Sequence, residues 1–164
     1  MKTSFERDFI QCGRQNKALL WDELIALQPR EYGASVRQLG DAKSLVFDVV
    51  ERESKKVAGE IALRVGDSDS LFYLGHVGYH IDPPYRGKNE ALHACRLCVP
   101  VFAALGMRSF VITTDVDNLP SIKTCEMLGC TLESTVSVPV WCRNEFAISA
   151  VKRRYVYEID ARLK

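Results

Sequence analysis

At 164 residues, with 47% hydrophobic and 26% charged content, the chain suits one domain with a substantial core and the composition of an ordinary globular protein. Its 22 basic and 21 acidic residues leave a net charge of +1, which excludes the broad field that gathers nucleic acid or an anionic membrane. No apolar run approaches the ~18 residues that cross a bilayer, and the start "MKTSFERDFIQCGRQNK" lacks the apolar core of a secretory signal, so the expectation is a single domain over residues 1–164 in the cytoplasm.

The first forty residues read as mostly helical. "NKALLWDELIALQP" sets Leu19, Leu20, Leu24, Ile25 and Leu27 on one broad apolar stripe before Pro29 stops it. "EYGASVRQLGDAK" fits either a short strand or a helical turn. The period then changes to two. "SLVFDVVERE" and "KKVAGEIALRVG" predict a hairpin closed around Glu53, Ser54 and Lys55, and "LFYLGHVGYHI" predicts a third strand ended by Pro83 and Pro84. "NEALHACRLCVPVFAALG" follows as a helix with Ala91, Cys95, Cys98 and Phe102 on one stripe. Pro100 inside it removes a backbone donor, which predicts a kink or a break there. The chain closes with a strand "RSFVITTDV", a helix "LPSIKTCEMLG", a strand "TLESTVSVPV" and a last strand "KRRYVYEID". The segment "VPVWCRNEFAISAVKRR" reads as an inserted loop before that last strand. Helices interspersed with a mixed sheet make an α+β, layered α/β domain.

Six cysteines raise the question of zinc, since Cys95 and Cys98 form a CxxC near His93, with Cys125, Cys130 and Cys142 beyond. Zinc ribbons carry such pairs in tight turns, whereas this pair lies on a helix stripe. Reduced core thiols and no metal are the expectation, and a zinc-stabilised binding module is the alternative.

Two segments carry chemistry. In "GYHIDPPYRGKNEALHAC", the prolines stop a strand and "YRGKN" swings the chain into a helix whose first N–H groups have no carbonyl partners. Free donors at the positive end of a helix favour an anion, and Arg86 and Lys88 add formal charge. The second segment, "TTDVDNLPSIKTCEMLGC", places Asn118 as N-cap and Gly129 as C-cap, with Asn118, Ser121 and Cys125 on one face.

These two segments, in this order and about thirty residues apart, resemble the GCN5-related N-acetyltransferase superfamily, nearest the branch of ribosomal-protein alanine acetyltransferases. The family's Gln/Arg-x-x-Gly-x-Gly/Ala turn is matched by Arg86, Gly87, Lys88, Asn89, Glu90 and Ala91. Its Asn-x-x-Ala/Ser helix is matched by Asn118 and Ser121, and the likeness covers residues 44–135. It implies the acyl-CoA N-acyltransferase fold: a mixed, mostly antiparallel central sheet, splayed at the cofactor cleft and flanked by helices. It implies acetyl-CoA as cosubstrate and transfer of the acetyl group to a primary amine, on a small molecule or a peptide N-terminus, by direct attack. The backbone at Tyr79, His80 and Ile81 would pair with the pantetheine amides, the turn would hold the pyrophosphate, and Asn118 and Ser121 would line the far side. Neither nucleic acid nor membrane is implied as a partner, and a homodimer is admitted. A non-catalytic acyl-CoA-binding or sensing domain is the alternative, motivated by two departures. Asn89 stands where the family has its second glycine, and Cys125 stands where many relatives have a tyrosine that protonates the leaving thiolate. Cys125 is a candidate donor in its place, and Glu60, with His76 or His80, is a candidate base, because alternation puts these three on one side of two pairing strands.

Overall fold

The computed structural model describes residues 20–29, 36–39, 42–66 and 68–160. Its strands are β1 (Ile25–Pro29), β2 (Val36–Leu39), β3 (Ala42–Glu51), β4 (Val57–Val65), β5 (Val77–Ile81), β6 (Ser109–Asp115), β7 (Thr131–Ser137) and β8 (Val151–Glu158). Its helices are α1 (Asp69–Leu74), α2 (Glu90–Ala104), α3 (Leu119–Leu128) and α4 (Val140–Phe146). The strands form one sheet in the order β1-β3-β4-β5-β6-β8-β7, with β2 also paired to β3. Every pairing is antiparallel except β5 with β6.

The β3–β4 hairpin forms as its alternation predicts, with Leu45 opposite Leu63 and Phe47 opposite Ile61. These side chains are fully or almost fully buried and share a core with the α2 stripe of Cys95, Cys98 and Phe102. Each large apolar side chain so buried contributes about 1.5–3 kcal/mol relative to exposure. Phe102 stacks on Phe110 of β6, whereas Thr113, of opposite parity on the same strand, donates its hydroxyl to the Tyr73 carbonyl of α1. Alternation therefore places α1 and α2 on opposite faces of the sheet.

Several expectations are corrected. The helix expected through Leu24, Ile25 and Leu27 is strand β1, paired with residues 47–51 of β3; of the first forty residues, 1–19, 30–35 and 40 lie outside the described residues. Ile25 and Leu27 are buried two apart, and Asp22 Oδ1 accepts from the N–H groups of Leu24 and Ile25 at 2.8 and 2.9 Å, a local turn that leads into a strand. The ambiguous segment before the hairpin resolves as strand β2. The third strand begins only at Val77. Residues 69–74 are helix α1, capped by Ser68, which accepts from Ser70 N–H, and ended by Gly75 at φ 74°. The Cys-bearing segment does not break at Pro100 but runs as one helix from Glu90 to Ala104; burial of its apolar stripe outweighs the ~3 kcal/mol an internal proline costs. The segment expected as a loop before β8 contains α4. No described helix is long and apolar enough to cross a membrane.

Gly59 is required by contact. A Cβ there would stand 2.0 Å from the His80 carbonyl oxygen on β5, so the two strands approach as only glycine allows. Gly59→Ala should destabilise the protein by about 2 kcal/mol or more, read as a lowered urea midpoint. An unchanged midpoint would show that β5 yields without cost.

Candidate functional site

Among the described residues, the one parallel pairing in the sheet is also its shortest. β5 and β6 match only at Val77 and Ile112, fastened just before by His76 N–H donating to the Val111 carbonyl at 2.7 Å and Val111 N–H donating to His76 Nδ1 at 2.9 Å. Beyond that point the strands part. Arg64 N–H donates to the His76 carbonyl and Asp82 N–H to the Ala58 carbonyl, so even-numbered residues of β5 turn their backbone groups toward β4. By alternation, the N–H and C=O groups of Tyr79 and Ile81 face the gap, while those of His80 face β4. Across the gap the Tyr79 hydroxyl and Ser121 Oγ of α3 lie 2.7 Å apart. Burial pushes the Tyr79 phenol well above its ordinary pKa and keeps it neutral.

The turn after β5 begins with a single 3₁₀ turn over Pro83–Tyr85. Arg86 Nε donates to the Ile81 carbonyl at 2.7 Å, tying the turn to the end of β5. Gly87 takes φ 92° with no atom within 4 Å of an added Cβ, so its demand is conformational and the space beside it is open. Asn89 is the N-cap of α2 at φ 60°, ψ 27°, the left-handed region that asparagine tolerates best after glycine. The unpaired N–H groups of the first turn of α2 begin here. Lys88 turns away: its Nζ stands 2.5 Å from Glu51 Oε1, at the end of β3.

The opposite wall is α3. Asn118 Oδ1 accepts from Ser121 N–H at 3.2 Å and caps the helix, and Gly129 at φ 97° closes it. Between wall and turn lies a cleft of about 640 Å³. It is lined by Tyr79, His80 and Ile81 of β5, by Arg86, Gly87, Asn89, Glu90 and Ala91 of the turn, and by Asn118 and Ser121 of α3. Of the residues expected at a cofactor site, Lys88 alone does not line it. Leu119 and Met127, 70% and 43% exposed, add an apolar wall that sequence reasoning missed. Their spacing of eight along α3, with Lys123 midway, was the available signal.

The catalytic candidates are dispersed. Glu60 stands opposite His80 in the β4–β5 register, and both border a smaller hollow of about 250 Å³ with Asp48 and Asp82. His80 lines this hollow and the cleft alike, and its Nε2 is 3.3 Å from Asp82 Oδ1. His76 does not line the cleft. Burial first, then the charges of Arg154 and Arg64, lower its pKa and keep the ring neutral, with Nδ1 occupied by Val111. Cys125 is fully buried and outside the cleft lining, its pKa raised by the neighbouring Cys130 thiol and by burial. Cys95, Cys98 and Cys142 are buried as free thiols, and among the described residues no group of three or more His, Cys, Asp or Glu is arranged to hold a metal ion.

Comparison with solved structures finds the same fold. The microcin C7 self-immunity acetyltransferase MccE, in complex with acetyl-CoA and AMP, superposes with a TM-score of 0.54 at 22% identity over 71% of this chain. The ribosomal-protein-S5-alanine acetyltransferase from Vibrio fischeri gives 0.56 at 21% identity over 72% of this chain. The chain covers 61% and 63% of those two proteins. It covers 97% of the ribosomal L7/L12 α-N-protein acetyltransferase RimL, in complex with coenzyme A, with a TM-score of 0.59 at 16% identity over 85% of this chain. Comparison with the curated proteins gives no match. The sequence profile of the acetyltransferase (GNAT) domain matches residues 16–131, which span the hairpin, the turn and the α3 cap; the chain belongs to the GNAT acetyltransferase family.

Proposed function

We propose that the protein is an acetyl-CoA-dependent N-acetyltransferase that moves an acetyl group onto a primary amine, on a small molecule or a peptide N-terminus. The observation that carries this reading is the single cleft that joins the parted edge of β5, the turn at Arg86–Ala91 and the Asn118–Ser121 face of α3. Each part suits one part of acetyl-CoA. The exposed N–H and C=O groups of Tyr79 and the N–H of Ile81, whose carbonyl is taken by Arg86, suit the amides of a pantetheine arm, as an added strand would. The left-handed Asn89, the open side of Gly87 and the first-turn N–H groups of α2 suit a pyrophosphate. Leu119 and Met127 give the arm an apolar wall.

Bound acetyl-CoA would supply an activated acetyl thioester, whose acetyl group passes to the attacking amine as the C–N bond forms, the C–S bond breaks and CoA leaves as thiolate. The chain must then remove a proton from the ammonium form of the acceptor and tolerate a departing thiolate. Glu60, in the hollow opposite His80, which borders hollow and cleft alike, is the proposed acceptor of that proton, directly or through water. A thiol with a pKa near ~8.5 leaves with little help. His76 and Cys125 take no part in the proposal, because neither borders the cleft or the hollow, His76 Nδ1 is occupied by Val111 N–H, and Cys125 is fully buried. The burial of Cys125 favours a second reading, an acyl-CoA-binding or sensing domain without turnover. Transfer from acetyl-CoA across a panel of amines separates the two.

Three measurements test the site. Calorimetric titration with CoA should give binding that Arg86→Glu weakens at least about tenfold, since the guanidinium both fixes the turn and opposes the anion. Equal binding by both proteins would remove the turn from the site. On any active amine, Glu60→Gln should lower kcat by about 10²-fold and alter its pH profile; an unchanged kcat and profile exclude Glu60 as the base. At the turn, Asn89→Gly should keep the fold and bind CoA as tightly or more so, whereas Asn89→Ala should lose about 1 kcal/mol of stability from the left-handed backbone. Weaker binding by Asn89→Gly would assign the asparagine side chain a role of its own.

A further inference from the structure

Glu90 offers the turn its backbone N–H, yet its side chain is placed unlike any other acid among the described residues. It is 2% exposed, stands in the first turn of α2 and lines the cleft, and neither carboxyl oxygen has a hydrogen-bond donor. What faces it is another carboxylate, Glu51 at the end of β3. Both Glu51 oxygens are already engaged: Oε1 by Lys88 Nζ at 2.5 Å and Oε2 by the Ser54 hydroxyl at 2.6 Å. Glu51 therefore offers Glu90 no donor, and two carboxylates held together out of water resist ionising together.

The surrounding charges divide. Lys88 and His93 favour ionised Glu90, as does the positive end of α2. His93 is itself held 2.6 Å from Asp22, and Glu53 acts on Lys88 from the hairpin turn. Burial and Glu51 oppose ionisation and prevail, pushing Glu90 up to about 7. The hydrogen bonds from Lys88 and then Ser54 hold Glu51 down at about 2. A proton on Glu90 supplies the donor that the pair otherwise lacks, and between those limits the pair keeps it.

We propose that the Glu51–Glu90 pair is a proton switch on the anion turn: with Glu90 protonated the turn takes the pyrophosphate of CoA, and with Glu90 ionised a negative charge at the same helix end weakens that binding. The switch rests on the acyl-CoA reading of the cleft. It needs no movement of the backbone, because the carboxyl and the first-turn N–H groups belong to the same turn of α2. Raising pH from about 6 to about 8 ionises Glu90, so affinity falls as pH rises.

The test compares CoA binding by calorimetry for wild type and Glu90→Gln at about pH 6 and about pH 8. The ratio of the two dissociation constants cancels ionisation of CoA itself. It should be near one at the lower pH and rise to about five, in favour of the variant, at the higher. A ratio that stays constant overturns the switch. An independent arm uses wild-type protein with ¹³C-labelled glutamate carboxyls. By linkage, saturating CoA should raise the Glu90 titration midpoint by about one pH unit, and a midpoint unmoved by CoA overturns the switch whether or not the variant folds. Absence of CoA binding at either pH overturns the acyl-CoA reading and the switch with it, whereas binding with a flat ratio overturns the switch alone.

Discussion

The architecture depends on how briefly β5 and β6 stay together. Parallel strands bond through slanted, evenly spaced pairs, and here the run ends after Val77 and Ile112. The contact is secured by His76, whose backbone N–H and ring Nδ1 both engage Val111. Past it, β5 keeps its bonds to β4 and leaves its other edge unpaired by any strand, with Arg86 Nε taking the Ile81 carbonyl at its end, while β6 keeps its bonds to β8. An unpaired edge inside a fold is costly unless something satisfies it. The Tyr79–Ser121 contact spans the gap without closing it, so the edge stays available to a ligand.

The gap acquires its chemistry from the elements that end beside it. Arg64 lies over the backbone at Gly78, where a Cβ would stand 2.3 Å from its guanidinium, and donates to the Leu74 carbonyl at the end of α1. Arg154 donates to the Phe72 carbonyl of the same helix and stacks over the Phe72 ring. Two cations thus satisfy carbonyls at the C-terminal end of a six-residue helix, which would otherwise be unpaired, and hold it against the face of the sheet opposite α2. Asp22 of the β1 approach meets His93 of α2, so the helix behind the turn is fastened to the edge of the sheet.

Local signals made much of this legible in the sequence. The prolines and Gly87 mark the turn, and Asn118 and Gly129 mark both ends of α3, because each feature depends on a few neighbouring residues; alternation left Glu60 near His76 or His80, and the β4–β5 register selects His80. Strand β1 was not legible because Leu24, Ile25 and Leu27 fit a helix stripe and a strand equally well; the free edge of β3 decides between them. Helix α1 was hidden in an apolar run too short to show a period. The pairing of Lys88 with Glu51, 37 residues apart, and the burial of Glu90 follow from the hairpin end meeting the turn, which no local pattern encodes. Cys125 read correctly as a helical core thiol, and its full burial leaves it outside the cleft.

The Lys88–Glu51 ion pair has a kinetic corollary. One of the two cations of the turn is matched by a carboxylate at 2.5 Å, and the whole chain carries a net charge of +1. Little unbalanced field reaches beyond a Debye length of about 8–10 Å to draw an anion in. What the turn offers is short-ranged: backbone dipoles at the start of α2 and the Arg86 guanidinium. Capture of an anionic ligand is therefore governed by orientation at contact rather than by long-range steering, and its association rate is only weakly sensitive to ionic strength.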